Sequence, residues 1–101
     1  MAKTKNAVAI INGMIGDDQE LRDLIREAKT NADIAQMIYD ARMEAELSQQ
    51  ALAELIGSNQ QTISQLEDAD YEGHSLAMLR RIADALHREL VVQFVPTKHA
   101  G

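Results

Sequence analysis

An all-α fold closed by one short β-strand is what the sequence predicts, and three observations carry the prediction. Apolar residues make up 46% of the chain and aromatics only 3%, so the core must be built from Leu, Ile, Ala and Met. Those residues recur at intervals of three and four, the period of a helix with one buried face. Each recurring run is preceded by a residue suited to cap a helix: Asp17, Ser48, Ser58 and Ser75. At 101 residues the chain has room for one domain whose core suffices for folding but leaves little for a deep catalytic cleft.

Taken in order, residues 1–6 are polar and are expected to be disordered. Asp17 with Glu20 has the form of a capping box, and Leu21, Leu24, Ile25 and Ala28 then keep helical spacing. The pattern weakens at Thr30 and Asn31 before Ile34, Ile38, Ala41 and Ala45 resume it. One long helix or two with a bend both fit, and two is the preferred reading. Ser48 opens a short helix marked by Leu52, Leu55 and Ile56, which Gly57 ends in a left-handed conformation. Ser58 with Gln61 forms a second capping box, and Ile63 and Leu66 give the buried side of another short helix ending near Asp68. After an acidic loop, Ser75 caps a helix buried through Leu76, Leu79, Ile82, Ala83 and Leu86. The segment Glu89–Val95 is rich in β-branched residues and closes at Pro96, which reads as a strand. A lone strand leaves its backbone unpaired, so it must pair with an N-terminal segment or with the same strand of a second subunit. The second option makes Leu90, Val91, Val92, Gln93, Phe94 and Val95 a dimerisation segment. The resulting division is an N-terminal extension and helix (1–32), a central domain (33–88), a dimerisation strand (89–96) and a tail (97–101).

Composition excludes several classes. There is no cysteine, hence no disulfide framework or thiolate zinc site, and a reducing, cytoplasmic compartment is expected. The longest apolar stretch, Ala7–Ile15, contains Asn12 and Gly13 and is far shorter than the roughly 20 residues of a membrane span. Lys3 and Lys5 precede it without a small-residue cleavage pattern, so the stretch reads as structural rather than as a leader. His74, His87 and His99 lack metal-ligand spacing, and neither a nucleophile motif nor a cofactor motif is present. No cofactor and no catalysis are expected. Met14, Met37, Met43 and Met78 fit helix packing.

The informative segment is Gln49–Asp68. Two short helices crossing steeply need a small residue at the crossing, a glycine at the turn and later apolar residues at fixed offsets. Ala53, Gly57 and the set Leu52, Ile56, Ile63 and Leu66 meet all three needs within twenty residues. Outward from that scaffold lie glutamines, whose amide offers a donor and an acceptor in one plane, matching N6 and N7 of adenine in the major groove.

The stretch Ser48-Gln-Gln-Ala-Leu-Ala-Glu-Leu-Ile-Gly-Ser-Asn-Gln-Gln-Thr-Ile-Ser-Gln-Leu-Glu-Asp68 resembles the helix-turn-helix of the lambdoid repressor and Cro (XRE) family. The likeness extends more loosely over Ile34–Leu86 and implies a lambda-repressor-like helical bundle with an N-terminal helical extension. It implies that Gln60, Gln61 and Gln65 read base edges of double-stranded operator DNA and that Gln49 holds a phosphate. Asn59, Thr62 and Ser64 would add backbone or base contacts. The departure is electrostatic. The net charge is -6, and between Asp33 and Val95 eleven Asp or Glu face four Arg (Arg42, Arg80, Arg81, Arg88), or 4 − 11 = −7. Glu67, Asp68, Asp70 and Glu72 directly follow the reading helix, where a phosphate-binding protein ordinarily gathers cations.

The ending Leu79-Arg-Arg-Ile-Ala-Asp-Ala-Leu-His-Arg-Glu-Leu-Val-Val-Gln-Phe-Val-Pro96, with the N-terminal extension, resembles HigA-type antitoxins. That resemblance implies a homodimer that represses its own operon and binds a small basic ribonuclease toxin, towards which an acidic surface would steer. A stand-alone phage or plasmid repressor, or a protein-interaction module that has lost DNA binding, fits the same residues.

Overall fold

A computed structural model describes residues 18–97. Four helices follow one another: α1 (Gln19–Glu44), α2 (Gln49–Leu55), α3 (Gln60–Leu66) and α4 (Leu76–Ala85). Ile38, Leu52, Ala53, Ile56, Ile63, Leu66, Leu79 and Ile82 form the core, with Ile34, Met78, Leu86 and Leu90 packed around it. The all-helical expectation holds among the described residues.

Helix α1 is one continuous rod of 26 residues rather than two joined by a bend. No Gly or Pro interrupts residues 19–44. At the weak point in the pattern, the Thr30 hydroxyl donates to the Arg26 carbonyl at 3.0 Å, and Lys29 pairs with Asp33 at 2.7 Å. The ion pair supports a helix through a stretch that buries little, and the threonine bond to its i−4 carbonyl is accommodated without a break. The same rod crosses positions 32 and 33, where the sequence divided extension from domain. Its cap is Asp18, whose carboxylate accepts from the Leu21 N–H; Asp17 and the apolar stretch 7–15 lie outside the described residues.

The ends of α1, α2 and α4 are built alike. The residue after each cap has positive φ: Glu46 at 59°, Gly57 at 69° and His87 at 58°. The next N–H reaches back five residues, from Leu47 to Arg42, Ser58 to Ala53 and Arg88 to Ala83, at 3.2, 2.8 and 2.8 Å. This is the Schellman closure, which satisfies the last carbonyls and reverses the chain. Glycine marked one of the three in the sequence. The other two place a glutamate and a histidine where L-residues are strained, so no composition signal announced them.

Four further expectations are corrected. Asn59, not Ser58, caps α3, accepting from the Thr62 N–H at 2.9 Å. Leu55 and Leu76 face solvent, Leu76 at 61% exposure, because each sits on the outer side of its short helix. Met37 and Met43 are also exposed and pack into no core. No strand occurs among the described residues: Leu90 folds back onto the core, while Val91, Val92, Phe94 and Val95 are exposed. A single chain offers those four no neighbouring strand, and without one extended backbone forms no ladder.

Candidate nucleic-acid interface

The turn between α2 and α3 places the surface that the glutamines occupy. Ala53 is fully buried where the two helices meet, and Ile63 and Leu66 anchor the inner side of α3. At about 100° per residue, Gln60, Gln61, Ser64 and Gln65 fall on one outer arc of roughly 140°. All four are exposed. Of these, Gln61, Ser64 and Gln65 have no side-chain partner among the described residues.

The remaining predicted contacts are already committed within the fold. The Asn59 Oδ1 accepts from both the Thr62 N–H and the Thr62 hydroxyl, at 2.9 and 3.2 Å, so this pair closes the start of α3. Gln49 donates from Nε2 to Glu67 at 3.1 Å and accepts from Gln60 Nε2 at 3.4 Å, so both ends of its amide are engaged. Leu90–Val95 are on the chain that follows α4, where Leu90 and Val91 line a groove with Met37, Ala41, Leu79 and Leu86.

Arg42 and Glu67 stand behind the interface and were not foreseen. Their side chains are 8% and 5% exposed. Arg42 donates from Nε and Nη2 to the two Glu67 oxygens at 2.7 and 3.0 Å, and from Nη1 to the Leu47 carbonyl at 2.7 Å. The Tyr39 ring lies 5.3 Å from the guanidinium. The hydrogen bond to Glu67 raises the Arg42 pKa above its ordinary value, against the opposing effect of burial. One signal existed in the sequence: Ile34, Ile38 and Arg42 recur at four, so an arginine sits on the buried stripe of α1. Its partner, twenty-five residues away, has no local signature.

The pair also revises the electrostatics. Glu67 does not belong to the exposed acidic run after the reading helix, because its charge is neutralised in place. The cations are likewise spent. Arg81 donates to the Ile56 carbonyl at the end of α2, and Arg88 pairs with Glu44 at 2.6 Å. Arg80 is exposed and makes no hydrogen bond or ion pair among the described residues. Behind the interface, His74 lies against Tyr71, with ring centroids 5.0 Å apart, and its Nε2 sits 2.8 Å from the Leu66 carbonyl at the end of α3. It is a loop residue, as expected. No group of metal-ligating side chains occurs among the described residues, and no helix of theirs is long and apolar enough to cross a membrane.

No curated protein and no solved structure matches the chain. The Helix-turn-helix family model matches residues 38–92, more than half of the sequence, from the last two turns of α1 to beyond the end of α4. With the small buried residue, the left-handed turn and the outward amide row all inside that span, the chain belongs to the XRE-type helix-turn-helix family of DNA-binding regulators.

Proposed function

We propose that this chain is a cytoplasmic transcriptional repressor, without catalytic activity, that binds an operator as a homodimer and reads base edges through Gln60, Gln61 and Gln65. The observation that carries the reading is the exposed, adjacent row on α3, in which Gln61, Ser64 and Gln65 have no side-chain partner among the described residues. A two-fold dimer would set two such rows one turn of duplex apart and couple two modest half-sites. The exposed apolar group Val91, Val92, Phe94 and Val95 supplies surface for that dimer. The test is fluorescence anisotropy with duplex DNA from upstream of the gene, at two salt concentrations. Gln60→Ala or Gln61→Ala lowers operator affinity by about 1 to 3 kcal/mol and leaves the fold intact. Salt dependence is shallow, because each neutralised phosphate adds about 0.9 to the slope and Arg80 is the one arginine of four in residues 33–95 left uncommitted. Unchanged affinity in both variants defeats the reading, and no binding by the parent even at low salt favours a protein-interaction module.

A second partner is favoured by the acid face of α1. Asp33, Asp40 and Glu44 line a shallow groove with Gln36, the exposed Met37 and Arg88. Asp33 and Glu44 pair with Lys29 and Arg88 at the surface, which leaves Asp40 as the groove's carboxylate without a cation among the described residues; a mildly acidic groove with an apolar floor suits a small basic protein, in keeping with a HigA-type antitoxin that neutralises a ribonuclease toxin. Co-purification with the product of the neighbouring gene tests this. A neighbour that is neither basic nor retained leaves a stand-alone repressor.

A further inference from the structure

The first half of α1 carries an apolar stripe that the helical core does not cover. At about 100° per residue, Leu21, Leu24, Ile25, Ala28 and Ala32 fall within an arc of roughly 100°. Asp23, Arg26, Glu27, Thr30 and Asp33 occupy the other side of the rod and are exposed. No residue of α1 before Ile34 packs on the core, and Ile34 and Ile38 do so from roughly a quarter turn around the rod. Leu24 stands 48% exposed. The stripe also lies wholly before residues 38–92, so the matched helix-turn-helix unit does not include it. A helical segment of this length is marginal in water unless its apolar face is packed.

The sequence just before the stripe has the pattern to cover it. Ala7, Ile10, Ile11 and Met14 recur at helical spacing, with Ala9, Asn12 and Gly13 on the other side of the same wheel. Gly16 follows the run, as it does at a helix C-terminus, and Asp18 caps α1 two residues later. A stop glycine and a start carboxylate this close together are the makings of an αα-hairpin link, which runs to about two to five residues. Residues 7–15 in helical form measure about 13 Å and Leu21–Ala32 about 16 Å, so the lengths agree. A reversal centred between Asp17 and Asp18 sets Ala7 beside Ala28, Ile10 beside Ile25, Ile11 beside Leu24 and Met14 beside Leu21. Small meets small and large meets large along the whole seam.

We infer that residues 7–15 fold back on α1 as the other arm of a helical hairpin, so that Ala7, Ile10, Ile11 and Met14 cover the stripe of the same chain. The tether decides for this occupant over a second copy. So short a link holds the two faces at an effective concentration on the order of millimolar, far above that at which separate chains meet. The inference stands apart from the operator reading and needs no DNA for its test.

The chain has no cysteine, so engineered pairs report contacts without background. In the full chain, Ala7→Cys with Ala28→Cys is oxidised and read by mass and on a non-reducing gel. Closure within one chain is expected, because facing positions bring the two backbones within disulfide reach. Asn12→Cys with Ala28→Cys turns one thiol to the outer side and should stay open under the same oxidant. Hydrogen exchange followed by mass spectrometry supplies a second readout. Ile11→Asp should speed exchange over residues 21–33 roughly tenfold or more, and Asn12→Asp should leave it at the parental rate. Exchange over α2–α4 in the same data checks that the domain itself is folded; should Ile11→Asp not fold, the cysteine pairs decide. Covalent dimers from Ala7→Cys with Ala28→Cys would hand the stripe to a second copy and overturn the inference. A pair that stays open, or exchange over residues 21–33 that Ile11→Asp leaves unchanged in a folded variant, overturns it as well.

Discussion

Removing the carboxylate of Glu67 and leaving its partner in place should be among the most damaging single changes available in this chain. In Glu67→Leu, Arg42 keeps a guanidinium whose side chain is 8% exposed, and two of its three bonds to oxygen are gone. Breaking one member of a buried pair costs about 3 to 5 kcal/mol, mostly for the uncompensated charge left behind. Against a total stability on the order of 5 to 15 kcal/mol, that is a large share. At about 4 to 8 °C per kcal/mol for a domain of this size, the melting temperature falls by roughly 12 to 40 °C. Arg42→Met combined with Glu67→Leu replaces the pair by apolar groups of similar bulk and recovers most of the loss. Glu67→Gln keeps an acceptor for the guanidinium and falls between, at about 2 kcal/mol. The assay is urea unfolding followed by circular dichroism at constant slope, so that midpoints convert directly to free energies. The pH response follows from the raised pKa of Arg42. A raised value stabilises fully below the ordinary arginine range and is lost only as pH rises through the folded value, so the Arg42 contribution is flat across neutral pH. A loss under about 1 kcal/mol in Glu67→Leu, or a double variant no more stable than the single, would refute the account of the pair as a buried, mutually compensated unit.

Three other outcomes can be checked with the same unfolding assay or with light scattering. Asn59→Ala should cost about 1 kcal/mol through loss of the α3 cap, while Ser58→Ala should cost little; the reverse order would return the cap to Ser58. Gly57→Ala should lose about 1 kcal/mol from left-handed strain alone, because the nearest atom to an added Cβ is the Arg81 Nη2 at 4.0 Å. His87→Gly should gain a similar amount at the matching position of α4, and equal signs for the two changes would contradict the shared closure. Truncation after Leu90 removes Val91–Val95 while sparing the residue that packs on the core, and should yield a folded monomer; a truncated dimer would place the interface elsewhere.

The helical class, the two short crossing helices and the outward glutamines were legible because each rests on local chemistry. Leu52, Ala53, Ile56, Gly57, Ile63 and Leu66 occupy offsets that a turn and two half-turns of helix fix without reference to the rest of the chain. The cap of α3 was misplaced by one residue because Ser58 and Asn59 are both competent, and only the backbone of the turn chooses between them. The bend expected in α1 failed for a related reason: weak apolar spacing at Thr30–Asn31 signals little burial, not a break, when no Gly or Pro is present. The strand failed because alternation in Leu90–Val95 specifies which side would be buried but supplies no partner to bury it.

What the residues alone determined, then, is where the three shorter helices run, where α2 turns into α3 and that the α3 glutamines point outward, since all of these depend on spacings shorter than a turn or two. What only the folded chain decided is how charge is distributed among them. Arg42 meets Glu67 across twenty-five positions, and Arg81 and Arg88 reach equally distant or more distant oxygens. Coulomb attraction acts on distance in space, and nothing in linear order records which residues the packing of the helices will bring within a few ångströms.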